Sequence, residues 1–260
     1  MRAVPLGRRS EPEMVESPHA TKRPALLGYA LAADTWKRFV HPPRQTLWRM
    51  RRANDGTLSL QPEAPGRRAP AFIGVRACEL RALAVQDRVL RDGDPSDASC
   101  AARRADCFII AVHCGDPAPT CFRASMHEDG PRADSGFDLA LTELAAAADH
   151  VFVVEVGSDT GAALLARVPH EPADEPRLQA ARERVRRAAC AMVRSLPTQG
   201  LKRLLQEHQE HPPWNDLAQR CLACGNCTMT CPTCFGTTLR DHGDLAARQP
   251  RRARNVGIAK

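Results

Sequence analysis

Four cysteines near the C-terminus have the type and spacing of iron–sulfur ligands. In the segment CLACGNCTMTCP they are Cys221, Cys224, Cys227 and Cys231, and Pro232 follows the last of them. The spacing is C-x2-C-x2-C-x3-C-P, the run with which bacterial ferredoxins bind 4Fe–4S clusters. Thiolates three residues apart let a short loop wind around one cluster, and the proline then turns the chain away. We therefore predict one 4Fe–4S cluster on this loop.

The fourth ligand stays open from the sequence alone. In two-cluster ferredoxins the cysteine before the proline binds the other cluster, whose own run lies elsewhere, and this sequence has no second run. Cys231 is the preferred fourth ligand, with Cys234 or the remote Cys190 as alternatives. Zinc held by two cysteine pairs is a competing interpretation. Only six residues separate Cys224 from Cys231, however, which is far fewer than in ribbon-type zinc sites.

A second group of cysteines, Cys78, Cys114 and Cys121, lies in the N-terminal half. Cys78 follows a predicted strand at a helix start, where the helix dipole favours the thiolate, and the other two flank the loop GDPAPT. They are candidate ligands of a second metal, for which Cys107 or Cys100 would supply a fourth thiolate. The simpler interpretation is a set of small thiols buried in a core.

Composition favours a globular protein in a reducing compartment. The chain has 260 residues, 43% of them hydrophobic, and its 11 Cys are an odd number, which argues against a disulfide framework. No run reaches the roughly 18 apolar residues of a membrane span, and Arg8–Arg9 is not followed by the apolar stretch of an export signal. We therefore expect a cytoplasmic protein. The net charge is +7, but the 37 Lys and Arg residues are scattered along the chain and mixed with 30 acidic residues. We therefore expect no nucleic acid partner.

Apolar patterns divide the chain into two main parts. The segments AFIGV, CFIIAVHC and HVFVVEV predict buried strands that alternate with helices, which indicates an α/β domain over residues 25–170. Residues 171–240 show helical patterns that lead into the cysteine run, and they predict an all-α iron–sulfur domain. Residues 1–24 and the basic tail, 241–260, lack such patterns and predict disorder.

Several of these segments resemble the beta subunits of sulfhydrogenase-type nickel–iron hydrogenases and the related A-type subunits of anaerobic sulfite reductases. The similarity runs from GYALAADTWKRFVHPPRQTLW through GVRACELRALAVQDRVL, FIIAVHCGDPAPTCFRASM and VEVGSDTGAALLA to CLACGNCTMTCPTCF. The resemblance implies an electron-relay protein with an α-helical ferredoxin-like domain that holds two 4Fe–4S clusters. It also implies a position between a partner that binds flavin/NAD(P) and the hydrogenase or sulfite reductase subunits.

The chain departs from this family in its cysteines. The family continues to a second cluster-binding run that this sequence lacks, so we expect a truncated, all-α ferredoxin-like domain with one cluster. Gly236 and Arg123 stand where the family has cysteines. The resulting hypothesis is a non-catalytic iron–sulfur electron-transfer subunit of a cytoplasmic oxidoreductase complex. The alternatives are a zinc-binding or degenerate relic module and a redox sensor with a labile cluster.

Overall fold

Two four-stranded sheets organise the chain. A computed structural model describes residues 25–28, 35–63, 70–126, 130–145, 150–243 and 250–256, so the predicted N-terminal arm, residues 1–24, lies outside the described residues. Within these ranges, no helix is long and apolar enough to cross a membrane.

The strands and helices follow one another in a mixed order. The strands are β1 Arg44–Arg52, β2 Leu58–Pro62, β3 Ala71–Arg76, β4 Phe108–Val112, β5 Leu139–Ala145, β6 His150–Val156, β7 Thr237–His242 and β8 Arg251–Val256. The helices are α1 Lys37–Val40, α2 Ala77–Gln86, α3 Ala98–Ala105, α4 Asp159–Leu165, α5 Glu175–Cys190, α6 Leu201–Glu207, α7 Pro212–Arg220 and α8 Asn226–Thr230. A π-helical turn, Asp87–Arg91, extends α2, and a 3-10 turn, Arg123–Ser125, precedes β5.

The first sheet, in the order β3–β4–β5–β6, contains the main core. Strands β3, β4 and β5 are parallel, and β6 is antiparallel to β5. Strands of parallel sheets are typically continuous apolar runs, which is the pattern of AFIGV in β3 and FIIAV in β4, although Ile73 of the edge strand β3 is exposed. Phe72, Val75, Ile109 and Ala111 from these two strands are buried and belong to the same cluster as Leu83 of α2. The first sheet and its helix α2 agree with the predicted α/β character of residues 25–170.

The second sheet corrects the predicted fold class. Its order is β2–β1–β8–β7, and all its neighbours are antiparallel. Strands β7 and β8 come from the region that was expected to be helical and from the predicted basic tail, yet they pair with β1 from the N-terminal half. The expectation of an all-α, truncated ferredoxin-like domain is therefore wrong. The chain has an α/β fold in which both halves contribute to one sheet.

The strand β8 shows why composition misled the prediction. Its sequence, RRARNV, has few apolar residues, but Ala253 and Val256 are buried. Arg254 donates a hydrogen bond to Gln45 Oε1 at 2.8 Å and forms an ion pair with Asp97, so this arginine is bound by the N-terminal half. Because the ladder hydrogen bonds join backbone groups, an arginine-rich segment can complete a sheet when its side chains find partners.

The helices before the cysteine run differ in how they pack. Helix α5 buries Ala181 and Ala188 and contacts β5 and β6 of the first sheet. Helices α6 and α7 contain no buried residue, so they lie at the surface. Their positions agree with the helical patterns over residues 171–220, while the domain boundary near residue 170 stays a prediction.

Candidate metal centre

The cysteine run lies between α7 and α8 on a loop with unusual backbone conformations. Cys221 ends α7, and Gly225 precedes α8. Ala223 and Gly225 have φ values of 50° and 76°, in the left-handed region, so each C-x2-C step contains one such residue. Glycine adopts this conformation without cost, whereas alanine is strained there. Alternation with left-handed residues turns successive N–H groups toward one side of a loop, which suits an anionic group such as an iron–sulfur cluster.

The second half of the run is ordered by short backbone hydrogen bonds. The amide of Cys231 donates to the carbonyl of Cys227 at 2.9 Å and ends α8, and the amide of Cys234 donates to the carbonyl of Cys231 at 3.3 Å. The amide of Ala223 donates to the sulfur of Cys221 at 3.4 Å. Amide–sulfur bonds of this kind stabilise a thiolate, the form in which cysteine binds iron.

A buried lysine from α1 holds the C-terminal end of this loop. Lys37 is 3% exposed, and its Nζ donates to the carbonyls of Thr228, Cys231 and Cys234 at 2.8, 3.2 and 2.7 Å. The last carbonyls of a helix have no partner within the helix, and the helix dipole makes that end negative. An ammonium group there both donates hydrogen bonds to these carbonyls and is attracted by the dipole. Burial lowers the pKa of Lys37, while the charges of Cys234 and Cys231 oppose this change.

A second side chain from the N-terminal half also binds the run. Gln86, at the end of α2, is buried and donates a hydrogen bond from Nε2 to the carbonyl of Pro232. The sequence analysis did not predict a role for Lys37 or Gln86. For Lys37, the available signal is a lysine within the apolar turn TWKRFV, and for Gln86 it is an amide on the apolar side of α2.

Electrostatics distinguishes Cys231 from an ordinary thiol. The hydrogen bond with Thr233, whose Oγ1 lies 3.5 Å from the sulfur, lowers the pKa of Cys231, and Lys37 adds to this effect. A lower pKa increases the thiolate fraction. Cys231 is exposed, as are Cys221, Cys224 and Cys227, whereas Cys234 is partly buried. The remaining candidate for the fourth ligand, Cys190, lies apart from the loop in the sequence, at the end of α5.

The donor set fits an iron–sulfur cluster in chemistry and in backbone conformation. Four free thiols stand at ferredoxin spacing on an exposed loop, with N–H groups and one ammonium nearby. In the part of the chain that the structure describes, no three His, Cys, Asp or Glu side chains already converge into a metal-holding group. Thiols have no mutual attraction, so binding of the metal itself commonly organises such a site.

The structure brings the second group of cysteines together on one cavity. Cys78, Cys114 and Cys121 line a space of about 340 Å³ at the carboxyl ends of β3 and β4. Arg123, which stands where the family has a cysteine, also lines it and donates a hydrogen bond to Gly130. The other walls are mainly apolar and include Phe122, Met126, Pro131 and Met192. Cys107 and Cys100 do not line this cavity.

Burial opposes the thiolate that was expected at Cys78. Its side chain is open to the cavity but surrounded by protein on its other sides, and this burial raises its pKa to about 11, with a further contribution from Glu79. Burial also raises the pKa of Cys114. The helix dipole at the start of α2 is thus outweighed by desolvation, since removal from water disfavours the charged form.

A polar pocket adjoins the cysteine run on the other side. It has a volume of about 320 Å³, and Cys224, Gly225 and Met229 form one wall. Arg44 of β1 and residues of β7 and β8 form the rest, with Thr238, Arg240, His242, Asn255 and Val256 among them. The second sheet therefore reaches the cysteine loop through a basic pocket.

Comparison with known proteins agrees with this site. Residues 220–258 match the family model of the 4Fe–4S dicluster domain. The chain is thus an iron–sulfur protein whose cofactor is a 4Fe–4S cluster.

Over 200 residues, the chain is 30% identical to Sulfhydrogenase 2 subunit beta of Pyrococcus furiosus. These matches confirm the family resemblance predicted from the sequence. The aligned region covers 76% of this chain and 56% of that relative, so the chain spans little more than half of the relative's length. No solved structure matches the chain.

Proposed function

We propose that this chain transfers electrons as one subunit of an oxidoreductase complex. The observation that carries the proposal is the ferredoxin-type cysteine run on an exposed loop that Lys37 holds from the other half of the molecule. An exposed cluster suits exchange of electrons with a partner, because no substrate pocket has to surround it. The named relative is a hydrogenase subunit, which supports membership of a larger assembly.

In this proposal Cys221, Cys224, Cys227 and Cys231 bind one 4Fe–4S cluster. Cys231 is preferred over Cys234 because it is the more exposed of the two and its pKa is lowered. The bound cluster supplies one-electron chemistry. The chain contributes the N–H groups of the loop and the charge of Lys37, which favours the more negative, reduced state and so raises the reduction potential.

We also propose that the cavity with Cys78, Cys114 and Cys121 holds no second cluster. Binding of iron requires each thiol to lose its proton, and burial, which raises the pKa values of Cys78 and Cys114, increases the free-energy cost of that step. The cavity is then lined by ordinary protonated thiols, and the metal content of variants at these positions tests this directly.

The partners follow from the same proposal. We place the chain in the cytoplasm, between a partner that binds flavin/NAD(P) and the hydrogenase or sulfite reductase subunits. Support comes from the relative's name and from the cysteines, all 11 of which are free. Free cysteines in this number suit a reducing compartment.

The test is spectroscopy of anaerobically purified protein before and after reduction with dithionite. The proposal predicts broad visible absorption near 400 nm that bleaches on reduction, together with a paramagnetic signal from the reduced 4Fe–4S cluster. A colourless protein containing zinc would overturn it in favour of the zinc-binding module. A cluster that cannot be reduced and re-oxidised without breakdown would also overturn it.

A further inference from the structure

One face of the second sheet carries a row of arginines. Residues directly opposite each other in antiparallel strands point to the same face. The registers place Arg44 opposite Asn255, Ala253 opposite Arg240, and Arg251 opposite both Arg49 and His242. Alternate residues of a strand share a face, and a bulge in β1 between Thr46 and Trp48 returns Arg49 to the face of Arg44. The basic residues of this set therefore lie on one surface. We call it the arginine face, and it comprises Arg44, Arg49, Arg51, Arg240, Arg251 and His242.

Acidic residues do little to neutralise this face. Glu63 pairs with Arg49, while Asp241 pairs with Arg252 on the opposite face. Among the residues that the structure describes, no acidic side chain forms an ion pair with Arg44, Arg51, Arg240 or Arg251. A surface with one sign of charge attracts partners of the opposite sign and accelerates their association.

The arginine face leads to the metal centre. Arg44, Arg240 and His242 also line the polar pocket whose opposite wall contains Cys224. From Arg44 to Arg51, the face extends over seven residues of β1, or about 23 Å. This length far exceeds what a small anion would contact, and it matches the patch that a small protein covers.

We propose that the arginine face docks an acidic electron-transfer protein, which brings that protein's redox centre to the Cys224 side of the cluster. The inference rests on the proposed function and specifies a partner for it. One electron leaves the reduced centre of the partner and enters the cluster, so the partner is oxidised and the cluster reduced by one electron each. No bond forms or breaks.

The composition of the face favours a protein over a nucleic acid. Trp48 faces the other side of the sheet, where the Arg252 guanidinium lies over its ring at 5.3 Å. The described residues of the arginine face include no Phe, Trp or Tyr on which bases could stack. This absence disfavours single-stranded nucleic acid, whereas a duplex is bound mainly through its phosphates, so binding of duplex DNA at this face would overturn the proposal.

The test measures binding of a fluorescently labelled, acidic plant-type ferredoxin to the purified protein by anisotropy. The double variant Arg44→Glu/Arg240→Glu reverses two charges beside the pocket. The matched control, Arg167→Glu/Arg194→Glu, makes the same charge change at exposed positions outside the sheet. We expect at least a tenfold loss of affinity for the first variant, less than twofold for the control, and marked weakening of wild-type binding as salt increases.

Three results would overturn the docking proposal. They are no loss of affinity in the face variant, an equal loss in both variants, and unchanged ferredoxin binding with loss of binding to a labelled DNA duplex. Thermal unfolding of each variant checks that it folds. Because anisotropy does not require iron, failure of the proposed electron-transfer function would appear as missing metal, while failure of docking would appear as unchanged binding.

Discussion

The two cysteine groups of this chain contain the same chemical group in opposite surroundings. The C-terminal run is exposed, lies on a loop with two left-handed residues, and has the Lys37 ammonium beside it. The cavity group lies at the carboxyl ends of two parallel strands, β3 and β4, among mainly apolar side chains. The pKa of Cys231 is lowered, whereas the pKa of Cys78 is raised to about 11. This contrast is the basis of our proposal that only the C-terminal run binds a cluster, because a metal ligand must be a thiolate.

Removal of one cysteine from each group should separate the two groups by the largest effect. Cys227→Ser should abolish most of the bound iron, because a cubane cluster needs a thiolate at each iron. Cys78→Ser should retain the wild-type iron content, because Cys78 binds no metal in this account. Iron per chain after anaerobic purification measures both. Equal iron loss in the two variants would show that the cavity group also binds iron.

Replacement of Lys37 tests what holds the C-terminal run in place. Lys37→Met removes three hydrogen bonds to carbonyls in the last turn of α8 and the segment that follows it, and leaves these carbonyls in a poorly hydrated site. We expect the free energy of unfolding to fall by about 3 kcal/mol, together with the iron content. Urea unfolding measures this, with Lys202→Met on the exposed face of α6 as the control, for which the change should stay within about 0.5 kcal/mol. Similar stability of the two variants would contradict the role of Lys37.

In the iron-free protein, the pH dependence of thiol alkylation should differ between the two cysteine groups. With a pKa of about 11, against 9.0 for an ordinary thiol, Cys78 should hold roughly a hundredfold less thiolate than such a thiol near pH 8. Its rate of reaction with iodoacetamide should still increase about tenfold per pH unit at pH 9 to 10. The rate at Cys231 should level off at lower pH because its pKa is lowered. Peptide mass spectrometry at each pH resolves the two, and parallel pH profiles would contradict the assignment.

The smallest expected effect concerns the strained residue of the cysteine loop. Ala223 has a φ of 50°, and glycine adopts this conformation without a Cβ clash. Ala223→Gly should therefore stabilise the folded protein by up to about 1 kcal/mol and leave the cluster in place. The matched change Ala218→Gly within α7 should destabilise it by about 1 kcal/mol. The unfolding temperature of each variant measures the effect. A shift of the same sign in both variants would exclude relief of strain at Ala223.

Much of the first sheet was predictable because its strands are apolar. AFIGV and HVFVVEV correspond to β3 and β6, and FIIAV within CFIIAVHC corresponds to β4. The strands of the second sheet were not predictable, since β1 and β8 contain many arginines and Leu239 is the one large apolar residue of β7. Their pairing depends on partners far away in the sequence, such as Asp97 for Arg254. Local patterns do not contain that information.

At the metal centre, too, local spacing predicts some features, while others depend on residues far apart in the sequence. The cysteine spacing identifies the candidate ligands, because cluster geometry imposes a fixed local pattern. The hydrogen bonds from Lys37 and Gln86 join residues more than a hundred positions apart, which no local motif specifies. The raised pKa of Cys78 likewise depends on tertiary burial, which the prediction from the helix dipole did not include.

Above all, we propose that one 4Fe–4S cluster occupies the C-terminal run. Its most direct test is the content of iron, zinc and acid-labile sulfide per chain in anaerobically purified protein. The account predicts about four irons and four sulfides per chain, with no stoichiometric zinc. Zinc in place of iron, or no metal, would contradict the electron-transfer assignment. About eight irons per chain would contradict the single-cluster assignment and show that other cysteines of the chain bind iron.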